Sequence, residues 1–202
     1  MDEWLSNLAS DSAAPGGGAA SALAAASSAA LICMVCNLTI GRPRYAEHEA
    51  LLTDVLSQAT EDREQALDLA KADERAFRDV LGAYKRPRST DEEQQERNRA
   101  IQTALIGAAE VPLSAAALAV DVIRLASEIS GRSNPNVLSD VAVAAVLARA
   151  ALDSALVNVE VNLAGIDEGE QRSRLASQLA SYASAATDAE SVVREARARI
   201  SG

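Results

Sequence analysis

Aromatic side chains are nearly missing from this chain: one Trp, one Phe and three Tyr in 202 residues. Strands of aromatic and β-branched residues between Gly/Pro turns are missing with them, which argues against a β-sandwich or barrel. Histidine occurs once, at His48, and cysteine twice, at Cys33 and Cys36. A conventional Cys/His zinc site cannot be completed from this set, so no metal is expected. A Ser-His-Asp triad would have to use His48, which lies between Glu47 and Glu49 and reads as a solvated residue. The two cysteines are too close in sequence to staple distant segments and read as small buried side chains. Cations are in the minority: 19 Lys+Arg against 29 Asp+Glu give a net charge of −10, the wrong sign for neutralising a phosphate backbone. No nucleic-acid partner is expected. Asp2 and Glu3 stand where a secretory leader carries its basic residues, so the expected compartment is the cytoplasm.

What the chain has instead is alanine, 44 residues of it. The hydrophobic fraction of 49% is too high for disorder, so a core exists, built from Ala, Leu and Val. Each small side chain buries little area, at about 25 cal/mol per Å², and such a core needs many close contacts or a partner subunit. The expectation is an all-α antiparallel bundle of long helices that forms a homodimer or larger homo-oligomer. Residues 12–41 carry no charge and are long enough to span a bilayer, but they are mostly Ala, Ser and Gly, so no membrane span is expected.

Periodicity and breakers divide the chain into helices within one domain, residues 1–202. A short helix over 2–9 is broken by Pro15-Gly16-Gly17-Gly18 before an Ala-rich helix over about 19–40, which Gly41 and Pro43 should end. Apolar spacing from Leu51 to Leu81 indicates one long or two stacked helices over about 45–84. Thr90 and Glu93 fit a capping box opening the next helix. Pro112 should kink that helix or divide it. Ser139 can cap a helix over about 140–165, and a more polar helix over 170–200 closes the chain.

Several features could carry chemistry. Gly16, Gly17 and Gly18 before a helix start leave backbone N–H groups open to an anionic or carbonyl ligand at the positive end of the helix dipole, although a flexible turn also uses glycine. Asp73 and Phe77 share a helix face. A carboxylate beside an aromatic and facing inward can have a raised pKa and act as general acid or base; a surface charge is the plainer reading. Asn158 and Asn162 are also one turn apart in an apolar helix and need polar partners, from the protein or from a ligand. Asn134, Asn136, Ser139 and Asp140 crowd a turn where capping accounts for most of them.

The order of these pieces resembles the cyclodeaminase/cyclohydrolase family. The matching blocks are Pro15-Gly16-Gly17-Gly18-Ala19-Ala20-Ser21-Ala22, the run from Met34 through Asn37 to Arg42, Asp73 to Phe77, Ala109-Glu110-Val111-Pro112-Leu113, Asn136 with Ser139-Asp140, and Asn158-Val159-Glu160-Val161-Asn162-Leu163. That family includes the cyclodeaminase part of formiminotransferase-cyclodeaminase and a stand-alone methenyltetrahydrofolate cyclohydrolase. The resemblance implies a dimerising all-helical subunit with a tetrahydrofolate site where helices meet at or near the subunit interface, and no cofactor besides the folate. It implies one of two reactions, cyclodeamination of 5-formiminotetrahydrofolate, which is preferred, or hydrolysis of 5,10-methenyltetrahydrofolate. A non-catalytic helical binding module is the alternative of another class. No α/β segment precedes Asp2, so a separate protein is expected to make the formimino substrate. Asp73 is then the expected proton carrier, with Asp140 as second choice or as an orienting partner. Gly16, Gly17, Gly18 and Asn37 would approach the ligand, Asn158 and Asn162 would read the pterin edge, and Phe77 would stack or desolvate. Asn136 and Ser139 join the binding set, and Arg42, with Arg44, Lys85, Arg86 and Arg88, would meet the glutamate tail.

Overall fold

The computed structural model describes residues 2–182 and 184–201, and among these it contains helices and no strand. In chain order they are α1 (Asp2–Leu8), α2 (Gly17–Asn37), α3 (Glu49–Tyr84), α4 (Asp91–Ile129), α5 (Leu138–Leu163), α6 (Glu170–Ser181) and α7 (Ala185–Ser201). Short 3-10 segments, Pro43–His48 and Pro135–Val137, precede α3 and α5.

Helices α2, α3, α4 and α5 form a ring in which each packs on the next and α5 returns to α2. Cross-helix contacts give their sense. Ala19 N donates to Asp73 Oδ2 and Cys33 Sγ lies 3.6 Å from Thr60 Oγ1, so α2 and α3 run antiparallel. Ser28 Oγ donates to the Ala144 carbonyl, and the Leu38 carbonyl, just past the end of α2, accepts from Asn134 Nδ2, so α2 and α5 do too. The closeness comes from alanine: Ala25 and Ala29 on α2 and Ala144, Ala145 and Ala148 on α5 are all fully buried in one core cluster. With so little side chain between the axes, the Ser28 hydroxyl reaches the neighbouring backbone at 2.7 Å.

Two helices, α2 and α4, are long and apolar enough to cross a membrane, yet 61% and 56% of their apolar windows are buried against other helices. Cys33 and Cys36 are buried free thiols. Burial, with Cys33 alongside, pushes the Cys36 thiol up to about 12, so it stays protonated and unreactive.

The expected boundaries shift where a side chain or a distant partner intervenes. α2 ends at Asn37 rather than near Ile40, because Thr39 Oγ1 takes the Val35 carbonyl at 2.7 Å and itself accepts from Asn134 N at 3.0 Å. The Thr90–Glu93 capping box is present in both halves and opens α4. Ser139 is not a cap: it lies in the first turn of α5, whose preceding residue is Val137. The segment expected as one helix over 170–200 is two, because Leu175 of α6 packs with Leu105 and Leu113 whereas Ala185, Ala189 and Val192 of α7 pack in the main core.

Pro112 neither ends α4 nor divides it. Proline has no N–H for the carbonyl one turn back, and that carbonyl, on Ala108, accepts instead from Asn162 Nδ2 of α5 at 3.1 Å. A bond lost within one helix is supplied by its neighbour.

Candidate active site

The start of α2, the C-terminal half of α3, α4 around Ala108 and the end of α5 enclose a cavity of about 400 Å³, within the range of small-molecule sites. Its α3 wall is Asp73, Ala76, Phe77, Val80 and Tyr84, a helical stripe in which the expected Asp73–Phe77 face continues for two more turns.

Asp73 is built into the beginning of α2. Gly16 precedes the helix in an extended conformation and offers no side-chain cap. The carboxylate arrives from α3 instead, with Ala19 N donating to Asp73 Oδ2 at 2.9 Å. Gly18 is required by this approach: a Cβ there would lie 2.0 Å from Asp73 Oδ1. Among the described residues none accepts from the Gly17 or Gly18 N–H, so two donors at the positive end of α2 remain open beside the carboxylate. Burial pushes the Asp73 carboxyl above the usual range, the Ala19 N–H opposes it, and Glu74 adds to the rise. A carboxylate in this position can take up and release a proton closer to neutrality than an exposed one.

Phe77 is 39% exposed and presents its ring to the cavity one turn from Asp73. Opposite, Asn158 and Asn162 line the α5 wall. Asn158 Nδ2 donates to the Ser154 carbonyl at 2.8 Å. Asn162 Nδ2 donates to the carbonyls of Ala108 and Asn158, at 3.1 and 2.9 Å.

The remaining expected residues lie elsewhere. Asn37 is exposed at the far end of α2, about 30 Å from Gly17 at 1.5 Å per residue. Exposed Arg42, Asn136 and Ser139 and half-buried Asp140 belong to that same end, where Asn134 binds the Leu38 carbonyl and its side chain accepts from Asn136 N. Within one chain they do not meet the Asp73 cavity, because the length of α2 separates the two groups. Arg44 is also there, stacked on Tyr45. Val80, Tyr84, Leu105, Ala108 and Val161 line the cavity without having been singled out in the sequence. For Val80 and Tyr84 the helical spacing from Asp73 was the available signal.

A second groove, about 920 Å³, runs between α3 and α4 and shares Ala76 and Ala108 with the first. Arg75, Arg78, Arg86 and Arg99 line it. Glu96 pairs with Arg86 and Arg99, while Arg75 and Arg78 have no carboxylate within 4.0 Å among the described residues. A groove between α5 and α7 is mainly apolar, and its Arg149 and Glu190 pair with each other.

A profile of the formiminotransferase-cyclodeaminase family matches residues 1–181. The chain belongs to that family. Methenyltetrahydrofolate cyclohydrolase of Methylorubrum extorquens is 41% identical over 168 residues, which cover 83% of this chain and 81% of that protein. Formimidoyltransferase-cyclodeaminase of Gallus gallus is 32% identical over 160 residues, 78% of this chain but 29% of that longer protein. The crystal structure of formiminotetrahydrofolate cyclodeaminase from Thermotoga maritima covers 100% of this chain with a TM-score of 0.85 at 28% identity, and 96% of that chain is covered in turn. In this cyclodeaminase-family fold the glycine turn, the Asp73 block and the Asn158–Asn162 block converge on one cavity, Pro112 lies one turn beyond the cavity residue Ala108, and the Asn37, Arg42 and Asn136–Asp140 blocks gather at the opposite end.

Proposed function

We propose that this family member is a tetrahydrofolate one-carbon enzyme acting at the carbon that bridges N5 and N10, with Asp73 as its proton carrier. The observation that carries the reading is the Asp73 carboxylate, fixed at the start of α2 in a cavity beside Phe77, with burial raising its pKa. Both reactions expected from the sequence use such a group. In hydrolysis, water adds to the cationic methenyl carbon and loses a proton to the carboxylate. N5 is then protonated and leaves, giving 10-formyltetrahydrofolate with release of one proton overall. In cyclodeamination, N10 attacks the formimino carbon and loses its proton. The amino group takes one up, and ammonia departs to leave 5,10-methenyltetrahydrofolate. In each route one carbon is at one stage the centre of a cationic amidine and at another tetrahedral, and a nearby carboxylate stabilises the cationic stage.

The expectation from the sequence is cyclodeamination. The 41% identity to the cyclohydrolase, against 32% and 28% for the cyclodeaminases, favours hydrolysis as the first reading, with cyclodeamination as the second. Phe77 stacks on the ring system, the Gly17 and Gly18 N–H groups meet its carbonyl or anionic edge, and Asn158 and Asn162 read the pterin. The glutamate tail follows the groove of Arg75 and Arg78, which opens from the cavity past Ala76 and Ala108. Of Arg42, Arg44, Arg86 and Arg88, Arg86 alone lines that groove.

A homodimer is part of the same proposal. On α5, Val143, Val146, Val157 and Val161 are 48–69% exposed, and exposed Ala150 and Ser154 lie between them. This stripe of small apolar residues suits close packing against a second copy, and Val161 carries it to the cavity wall. Residence in the cytoplasm is supported by the two buried free thiols.

The test is turnover of the purified chain and of Asp73→Asn with 5,10-methenyltetrahydrofolate. The substitution should lower kcat by about 10² to 10⁴ while the protein stays folded. Unchanged turnover would remove Asp73 from the mechanism.

A further inference from the structure

The Ala109-Glu110-Val111-Pro112-Leu113 block has so far only a structural part in the fold, and Pro112 has a consequence for the pocket. An asparagine amide has two N–H donors and one acceptor oxygen. Both donors of Asn162 are used: Nδ2 bonds the Ala108 carbonyl at 3.1 Å and the Asn158 carbonyl at 2.9 Å. Turning the amide over would set Oδ1 against two carbonyl oxygens, so the orientation is chemically enforced. Oδ1 accepts from no donor among the described residues, and Asn162 lines the cavity. The Ala108 carbonyl needs this donor because position 112 is proline and has no N–H to give it.

We propose that Pro112 is a specificity-determining residue: by withholding its N–H from the Ala108 carbonyl it locks the Asn162 amide so that only its oxygen faces the ligand, and the pocket selects a ligand edge that donates an N–H there. This rests on the folate reading above, in which the donor is an N–H of the aminopyrimidine part of the pterin. An edge that only accepts would meet Oδ1 with repulsion, and Asn162 could not rotate to suit it without orphaning the Ala108 carbonyl. Asn158 is held less tightly. Its amide spends one N–H on the Ser154 carbonyl, so it can still donate as well as accept.

The experiment pairs P112A with Asn162→Ala in a double-mutant cycle. P112A restores an N–H within α4, so its Tm should be equal to or above that of the unaltered protein. The KM for 5,10-methenyltetrahydrofolate should nevertheless rise by roughly 2- to 10-fold, the worth of one neutral hydrogen bond, with kcat nearly unchanged. Asn162→Ala alone should lower Tm by leaving the Ala108 carbonyl unpaired, and the same substitution in the P112A background should lower it much less. A P112A protein with the original KM, or equal Tm losses from Asn162→Ala in both backgrounds, would overturn the proposal.

Asn162→Asp gives a second route that does not depend on P112A folding. A carboxylate cannot donate to the two carbonyls, whereas a protonated acid can donate to one. The Tm deficit of Asn162→Asp relative to the unaltered protein should therefore shrink between about pH 8 and about pH 5, and a constant deficit counts against the locked amide. If the unaltered protein neither binds nor turns over either folate, the folate reading has failed. The Tm comparisons then still decide whether Pro112 fixes Asn162.

Discussion

Gly18→Ala separates the catalytic role of Asp73 from its role in capping α2. A Cβ on residue 18 would lie 2.0 Å from Asp73 Oδ1 and 2.4 Å from its Cγ, whereas ordinary contact begins at 3.4 Å. The carboxylate must therefore retreat by about 1.4 Å, the difference between 3.4 and 2.0 Å. The fold loses one charge-assisted hydrogen bond, about 1.5–3 kcal/mol, and regains about 0.5–1 kcal/mol from replacing a helical glycine by alanine. The net loss of about 0.5–2.5 kcal/mol corresponds to a fall in Tm of roughly 1–10 °C for a chain of this size. Catalysis should suffer far more, because displacing a reacting group by about 1 Å costs on the order of 10² in rate. Thermal melting and steady-state kinetics on the same preparation test this. Normal kcat with a modestly lowered Tm would mean that the carboxylate is a helix cap and not the proton carrier.

Three further outcomes follow from the same geometry. If Asp73 acts as the base, kcat/KM should rise with pH along a limb whose pKa lies above the ordinary aspartate value of about 3.9, because burial raises that carboxyl; a limb at or below that value would assign the base elsewhere. Asp62 is 8% exposed with Oδ2 unpartnered, and burial, then Asp121, push its pKa up to about 6 against the pull of Arg124. Its unfolded form ionises near pH 3.9, so folding stability from this group falls as pH rises from about 4 through about 6, by up to about 3 kcal/mol. Asp62→Asn should thus melt higher than the unaltered protein near pH 8 and not near pH 4, and an equal difference at both would refute the cause. Val146→Glu places a charge in the exposed α5 stripe and should convert a dimeric scattering mass to that of one chain; a monomeric mass for the unaltered protein at micromolar concentration would contradict the dimer.

What could be read from the sequence was local. The Thr90–Glu93 box and the Asp73–Phe77 face depend on spacings of three and four residues, and both are present. That Pro112 does not divide α4 is not legible locally, because the donor that replaces its N–H, on Asn162, lies 50 residues away on another helix. Asn37 and the glycines sit at opposite ends of the 21 residues of α2, so within one chain they cannot share a pocket. A helix length of about 30 Å separates them before any tertiary structure is considered. The groove of Arg75 and Arg78 is not legible in the sequence, because it arises only where α3 packs beside α4.

Absorbance of the methenyl group reads directly whether the Asp73 cavity handles the one-carbon bridge of tetrahydrofolate. Purified protein should speed the decay of that absorbance when given 5,10-methenyltetrahydrofolate, as the hydrolytic reading requires. A rise from 5-formiminotetrahydrofolate in its place would select cyclodeamination. No change above the spontaneous rate with either substrate, at high protein concentration, would contradict the account.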